Sequence, residues 1–232
     1  MIPRYEFKIP CDPVLQPEVE AWVRLHPAHW RVSYPPRQVN SIYFDSPDLH
    51  DLNANLSGVG RREKLRLRWY GPDLTRIAGA QLERKCKDGL AGWKEMAFFL
   101  GSLDLTGVTW PALLTKLREG LDAPARLWLD ARAGPVLINC YQRAYYETPD
   151  GVLRLTLDTQ LRAYDQRFSL LPNLSRLALQ PEQMVIELKA PVDDLSIQRL
   201  SRVLLTFPAR VDRFSKYLRG VLGAVDFEGV LA

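Results

Sequence analysis

The residues able to do chemistry in this chain are mostly basic, and they recur at every second position. Arg4-Tyr5-Glu6-Phe7-Lys8 is the first such run, and Lys64-Leu65-Arg66-Leu67-Arg68 is the clearest. Glu83-Arg84-Lys85, Arg154-Leu155-Thr156-Leu157-Asp158 and Glu187-Leu188-Lys189 follow. In a β-strand, residues i and i+2 point to the same side, roughly 6–7 Å apart. Each run therefore predicts one charged face and, in most cases, one apolar face. Guanidinium groups stay charged and grip phosphate oxygens with two donors at once, so Arg66 and Arg68 on one face can hold successive phosphates. A carboxylate on such a face, Glu187 for one, offers an oxygen ligand to a divalent cation that keeps waters for its remaining positions. Glu6, Glu83 and Asp158 serve either as second ligands or as carboxylates that orient the basic residues. Such faces brought together would form a cationic cavity for a polyanion and a metal. Taken alone, the same runs also fit solvated strand faces.

Eight strands must position these residues. They are expected at 4–9, 37–45, 60–70, 80–87, 92–100, 135–147, 151–164 and 184–190, in one antiparallel meander. Gly71-Pro72, Asp88-Gly89 and Pro149-Asp150-Gly151 supply turn signals. Helices are expected at 13–26, 111–120, 195–206 and 212–223. A helical turn should also start at Ser46-Pro47-Asp48, with Ser46 as its cap and Pro47 at the first position.

The apolar faces need a cover. Leu65, Leu67 and Trp69 alternate with Lys64, Arg66 and Arg68; Ile186 and Leu188 alternate with Glu187 and Lys189. Either the charged faces are solvent surface over an ordinary core, or the sheet is inverted, with charge inside and helices packed on its apolar outside. On general grounds the first is the commoner arrangement; the amphipathic helices and the nearly all-ionic character of the charged faces pull toward the second. No linker or composition break appears, so residues 1–232 read as a single domain.

Bulk composition excludes several classes. Hydrophobic residues make up 47% of the 232, an ordinary globular content that rules against disorder. The net charge of +4 is too small to choose a partner by itself. Cys11, Cys86 and Cys140 are distant, odd in number and without CxxC spacing, which predicts buried free thiols rather than disulfides or a zinc site. The start, MIPRYEFKIP, lacks the apolar stretch of a signal peptide. No segment approaches the roughly 20 apolar residues of a membrane span. A cytoplasmic protein is expected, with any membrane partner on a separate chain. Aromatics do not interleave with the basic positions as a nucleic-acid stacking platform requires, so nucleic acid is not the expected partner. A Walker-type glycine loop is also missing.

In their order along the chain, these segments resemble the polyphosphate polymerase domain of the vacuolar transporter chaperone (VTC) family, within the triphosphate tunnel, or CYTH-like, proteins. The similarity runs through RYEFK at 4–8, VNSIYFDSPDL at 39–49, KLRLRWYG at 64–71, LERK at 82–85 and GWK at 92–94. It continues through YQRAYY at 141–146, LRLTLD at 153–158, VIELK at 185–189 and RFSKYLRG at 213–220. The resemblance implies an α+β fold: an eight-stranded antiparallel β-barrel tunnel with a charged interior and helices on the outside. It implies a metal-dependent enzyme, with Mn²⁺ or Mg²⁺, that passes the γ-phosphate of ATP to a growing inorganic polyphosphate chain. Relatives of this fold instead hydrolyse tripolyphosphate or RNA 5′-triphosphates, or cyclise ATP. A triphosphatase and a non-catalytic polyphosphate-binding module are therefore the alternatives.

Carried over residue by residue, the resemblance assigns phosphate contact to Lys8, Arg66, Arg68, Lys85, Arg143, Arg154 and Lys189. Arg4, Lys64, Lys94, Tyr141, Arg213, Ser215 and Lys216 join them as further substrate contacts. Ser215 and Lys216 belong to the segment that the family places at one tunnel mouth, and Tyr141 is expected beside Arg143. Lys94 shares its side of the strand with Met96 and Phe98. Tunnel hydrolases carry ExExK on the first strand, whereas here Arg4 stands for the first Glu; that loss favours transfer to phosphate over hydrolysis. His26, His29 and His50 match no catalytic position and are expected to be structural or exposed. Adenine would stack on an aromatic at the tunnel mouth, which the sequence does not identify.

Overall fold

The computed structural model describes residues 4–88, 91–132, 134–178 and 182–223. Among the described residues, ten strands and six α-helices follow in this order: β1 (Arg4–Cys11), α1 (Gln16–Leu25), β2 (Arg31–Asp45), α2 (His50–Leu56), β3 (Arg61–Tyr70), β4 (Arg76–Ala78), β5 (Gln81–Asp88), β6 (Ala91–Phe98), β7 (Ser102–Asp104), α3 (Trp110–Glu119), α4 (Ala123–Asp130), β8 (Gly134–Glu147), β9 (Arg154–Asp165), β10 (Met184–Pro191), α5 (Asp194–Leu205) and α6 (Lys216–Leu222). Eight of the strands form one sheet in the order β1-β10-β9-β8-β2-β3-β5-β6, and β4 pairs with β7 in a small second sheet. The α+β class and the eight-stranded antiparallel sheet are as the sequence predicts.

The strand order departs from a meander. The first strand pairs with the last along its whole length, from Arg4 opposite Pro191 to Cys11 opposite Met184. Period-2 patterning marks a strand but carries nothing about its neighbour. Among the described residues, the hydrogen-bonded ladder ends at β1 and β6 rather than closing on itself.

The chain divides into two compact units, Met1–Arg37 with Tyr141–Leu161 and Pro181–Phe214, and Gln38–Cys140 with Arg162–Gln180 and Ser215–Ala232. In the first, Ile9, Leu155, Leu157, Ile186 and Leu188 meet Val19 and Val23 of α1 and Leu200 and Val203 of α5. In the second, Ile42, Phe44, Leu65, Leu67, Trp69 and Leu82 meet Trp110, Leu113 and Leu117 of α3 and Ala125 and Leu129 of α4. In both units, helices cover the apolar strand faces, as an inverted sheet requires. Each buried aliphatic side chain contributes about 1.5–3 kcal/mol.

Several boundaries are corrected. The helix after β2 starts at His50, not at Ser46, and Leu49 before it is left-handed (φ 55°). The Asp45 carboxylate takes the capping role by accepting from the Asp51 and Leu52 N–H groups, while Ser46 Oγ accepts from His50 N–H. The last helix begins at Lys216 rather than 212, because the Asp212 N–H is tied to the Lys8 carbonyl and Ser215 caps the helix instead. Helix α4 was not anticipated, although Asp122 caps it and Pro124 lies in its first turn. Strand β2 begins six residues early because it runs through Pro35 and Pro36 with that end exposed. The Asp88-Gly89 turn lies partly outside the described residues. Cys11, Cys86 and Cys140 are buried free thiols, and burial pushes the first two up to about 11.

Candidate active site: two cationic strand faces

On the first unit, the charged face comes from β1, β10, β9 and β8. Register sets Lys8 opposite Glu187, Glu6 opposite Lys189 and Lys189 opposite Arg154, so opposite charges mostly meet across strands. Arg143 of β8 grips Asp158 with two donors, Nη2 to Oδ2 at 2.7 Å, and reaches Glu187 Oε2 at 3.4 Å. Lys189 Nζ lies 3.3 Å from Glu187 Oε1, and Lys8 Nζ lies 3.2 Å from both Glu6 Oε1 and the Phe214 carbonyl. Asp158 and Glu187 are not at a solvated surface, at 0% and 7% exposed, whereas Glu6 is exposed. Burial pushes the Glu187 carboxyl up, but Lys189, a hydrogen bond with Glu6, Lys8 and Arg143 outweigh it and hold it well below the usual range. Burial by itself would weaken Arg143, yet Asp158 and its anionic neighbours keep it charged.

Thr156 stands directly opposite Glu187, and strand alternation puts it on the same face as Arg154 and Asp158. Its Oγ1 is buried without a hydrogen-bond partner among the described residues. A buried hydroxyl with no partner costs about 1–3 kcal/mol, so one left inside an ionic cluster points to a ligand atom. The hydrogen bond between Glu6 and Glu187 brings two carboxyl groups together beside the cations of this face. No group of three or more His, Cys, Asp or Glu side chains with metal-site geometry occurs among the described residues. This donor set fits a divalent cation held by one or two carboxylates that takes its remaining ligands from phosphate and water.

On the second unit, Glu83 organises the face built from β2, β3, β5 and β6. It is 1% exposed and gathers three cations: Arg66 Nη2 at 2.6 Å, Lys94 Nζ at 3.0 Å and Arg68 Nη1 at 3.7 Å. Burial raises its carboxyl, but Arg66, Arg68 and Lys94 prevail and hold it far below the ordinary carboxylate value. Lys64, Lys85 and Lys94 lie directly opposite one another across β3, β5 and β6. Facing like charges disfavour a sheet, and an anion laid along the row reverses the sign. Lys64 Nζ also donates to Ser215 Oγ at 2.9 Å, bringing the FSK segment onto this face.

Tyr43 and Ser41 of β2 lie opposite Arg66 and Arg68 and were not singled out by charge spacing. Arg66 Nη1 donates to the Tyr43 hydroxyl at 3.2 Å, and Arg68 Nε donates to Ser41 Oγ at 3.4 Å. Burial opposes ionisation of the Tyr43 phenol, but Arg66, Arg68 and Lys216 lower it on balance. Tyr217 stacks on Tyr43 at 5.0 Å and donates its hydroxyl to Asp45. The available signal was the polar alternation Ser41–Tyr43–Asp45 in the SIYFD segment.

The structure does not gather every expected residue. Arg4, Arg154 and Arg213 are exposed and make no ion pair among the described residues. Tyr141 is buried, with Arg143 5.2 Å from its ring centroid. His26 packs on Trp22 and bonds to Thr206 Oγ1, away from the ionic cluster.

Comparison with known proteins gives the following. No curated protein matches the chain. A solved Hippeastrum protein, described as an adenylyl cyclase with a dominant triphosphatase activity, is 16% identical, with a TM-score of 0.52 over 94% of this chain and 93% of that one. A Pyrococcus horikoshii protein is 14% identical (TM-score 0.46, 94% of this chain, 98% of that one). A Vibrio parahaemolyticus protein described as an adenylate cyclase is 12% identical (TM-score 0.46, 92% and 95%). At 16% identity the likeness to the Hippeastrum structure concerns the fold alone. The family model for the VTC domain matches residues 4–224, nearly the whole chain, and the chain therefore belongs to the VTC domain family.

Proposed function

We propose that this chain is a polyphosphate polymerase, which transfers the γ-phosphoryl group of ATP to the end of an inorganic polyphosphate chain. The observation that carries the reading is the gathering of three cations, Arg66, Arg68 and Lys94, on the single buried carboxylate of Glu83, together with the lysine row beside it. Membership of the VTC domain family supplies the class of anion.

Phosphoryl transfer asks a protein for alignment and charge neutralisation more than for covalent chemistry. Arg66 and Arg68, fixed by Glu83, Tyr43 and Ser41, present guanidinium donors to phosphate oxygens. Lys64, Lys85 and Lys94 act as point charges along the same anion. On the first unit, Arg143, Lys8 and Lys189 offer cations to phosphate beside Glu187, and Thr156 Oγ donates to a phosphate oxygen. Glu187, with Glu6, would hold Mn²⁺ or Mg²⁺, which supplies Lewis-acid neutralisation of phosphate oxygens when bound. The acceptor is a phosphate end that is already ionised, so no general base is needed. Arg4 in place of a first-strand Glu supports transfer over water activation.

The test is a product gel after incubating the pure chain with ATP and Mn²⁺. Long polyphosphate with ADP supports the polymerase. Free phosphate alone would make it a triphosphatase, the activity named for the Hippeastrum structure. Tight polyphosphate binding without turnover would make it a binding module. Arg66→Ala and Glu187→Ala should each lower product formation by roughly 100-fold or more, as loss of a transition-state donor does.

A further inference from the structure

The phosphate-binding reading leaves the base of a nucleoside triphosphate without a place, and β2 and β8 offer one within the first unit. Tyr34 and Arg37 lie at the start of β2, and Tyr145 lies near the end of β8. The Arg37 guanidinium carbon is 4.2 Å from the Tyr34 ring centroid and 5.3 Å from that of Tyr145. Its Nε donates to the Tyr145 hydroxyl at 3.2 Å. The two rings meet edge to face, 5.8 Å apart and at 70°. Tyr34 is 50% exposed, so ring surface remains open to solvent.

Two further features make this more than a surface cluster. Tyr34 and Arg37 are joined by Pro35-Pro36, whose fixed φ angles restrict the backbone between them and so the freedom it loses on binding. Tyr145 also follows Arg143 by two positions on the same face of β8, with the Arg143 guanidinium carbon 6.0 Å from its ring centroid. A chain of neighbouring rings and guanidinium groups thus runs from the Asp158–Arg143–Glu187 cluster through Tyr145 and Arg37 to the exposed ring of Tyr34.

We propose that Tyr34, Arg37 and Tyr145 form a stacking platform for the base of a nucleoside triphosphate whose phosphates lie at Arg143; this rests on the phosphate-binding reading above. Flat heterocycles stack well on tyrosine rings and guanidinium planes. Stacking strength grows with ring area, so the platform favours purines over pyrimidines.

The experiment compares binding of ATP and of tripolyphosphate, which has no base, to the wild-type chain, Tyr34→Ala and Tyr34→Phe by calorimetry. Tyr34→Ala should weaken ATP roughly 10-fold, within the range for losing one base–aromatic stack, and leave tripolyphosphate unchanged. Tyr34→Phe should keep both affinities. Retained tripolyphosphate binding reports that Tyr34→Ala still folds. Equal weakening of both ligands, or of neither, overturns the platform. A wild-type chain that makes polyphosphate from ATP while Tyr34→Ala binds ATP normally would sink the platform alone. A base-dependent Tyr34 effect in a chain that makes no polyphosphate would sink the polymerase and leave the platform standing.

Discussion

Replacing Glu83 by Gln removes one negative charge from the middle of three cations. Its carboxylate is 1% exposed and lies within 4 Å of Arg66, Arg68 and Lys94. Breaking a buried ion pair from one side costs about 3–5 kcal/mol, because the remaining charge stays buried and unpaired. Arg66 and Lys94 keep some water contact, with side chains 17% and 39% exposed, so a loss near 3 kcal/mol is expected. At about 2–4 °C per kcal/mol in a chain of this size, Tm should fall by about 6–12 °C. Glu83→Asp, which keeps the charge, should recover part of it. Tripolyphosphate brings back the missing negative charge, so its thermal shift should be larger in Glu83→Gln than in the wild type. The acid response follows from the depressed carboxyl of Glu83 in the folded chain. Its stabilisation is present above the unfolded value, about 4.3, and is lost as pH falls through the folded one. The wild type should therefore lose stability on acidification below about pH 4, and the variant less so. Differential scanning fluorimetry between pH 2.5 and 7, with and without tripolyphosphate, reads all of this. A Tm unchanged in Glu83→Gln, or equal tripolyphosphate shifts in both proteins, would refute the idea that this carboxylate balances a phosphate-binding cation cluster.

Thr156→Val keeps the shape and removes the unpartnered hydroxyl. It should leave stability unchanged or raise it by about 1 kcal/mol, while tripolyphosphate affinity falls roughly 5–10-fold, the worth of one hydrogen bond; calorimetry showing full affinity would remove Thr156 from the site. Tyr217→Phe deletes the donor to Asp45, which keeps its Ser46, Asp51 and Leu52 N–H partners. Denaturant unfolding should show a loss of about 1–2 kcal/mol. Gly220→Ala would set a Cβ 2.6 Å from Leu137 Cδ2 and 3.1 Å from Ala163 Cβ. Leu137 is fully buried and cannot swing away, so the clash should outweigh the helix propensity gained and lower stability by about 1–3 kcal/mol in the same unfolding assay.

What the sequence by itself determined is local. Alternation is set by the backbone of a single strand, so Lys64, Arg66 and Arg68 had to share one side and Leu65, Leu67 and Trp69 the other, wherever that strand lay. The turn at Pro149-Asp150-Gly151 was legible for the same reason, since Gly151 takes a left-handed φ of 69° that glycine accepts without strain. The tertiary structure decided which strand lies beside which, and therefore which charges meet. Glu83 gathers Arg66, Arg68 and Lys94 only because β5 lies between β3 and β6. Lys8 reaches the Phe214 carbonyl across 206 residues of chain. Thr156 reads as an ordinary strand threonine until Glu187 is laid opposite it, and Tyr34 as an ordinary surface tyrosine until β8 brings Tyr145 to its ring. Period two is a property of one strand's own covalent geometry, whereas a binding site depends on pairing between distant strands. That pairing is chosen by the packing free energy of the whole chain, which no local spacing records.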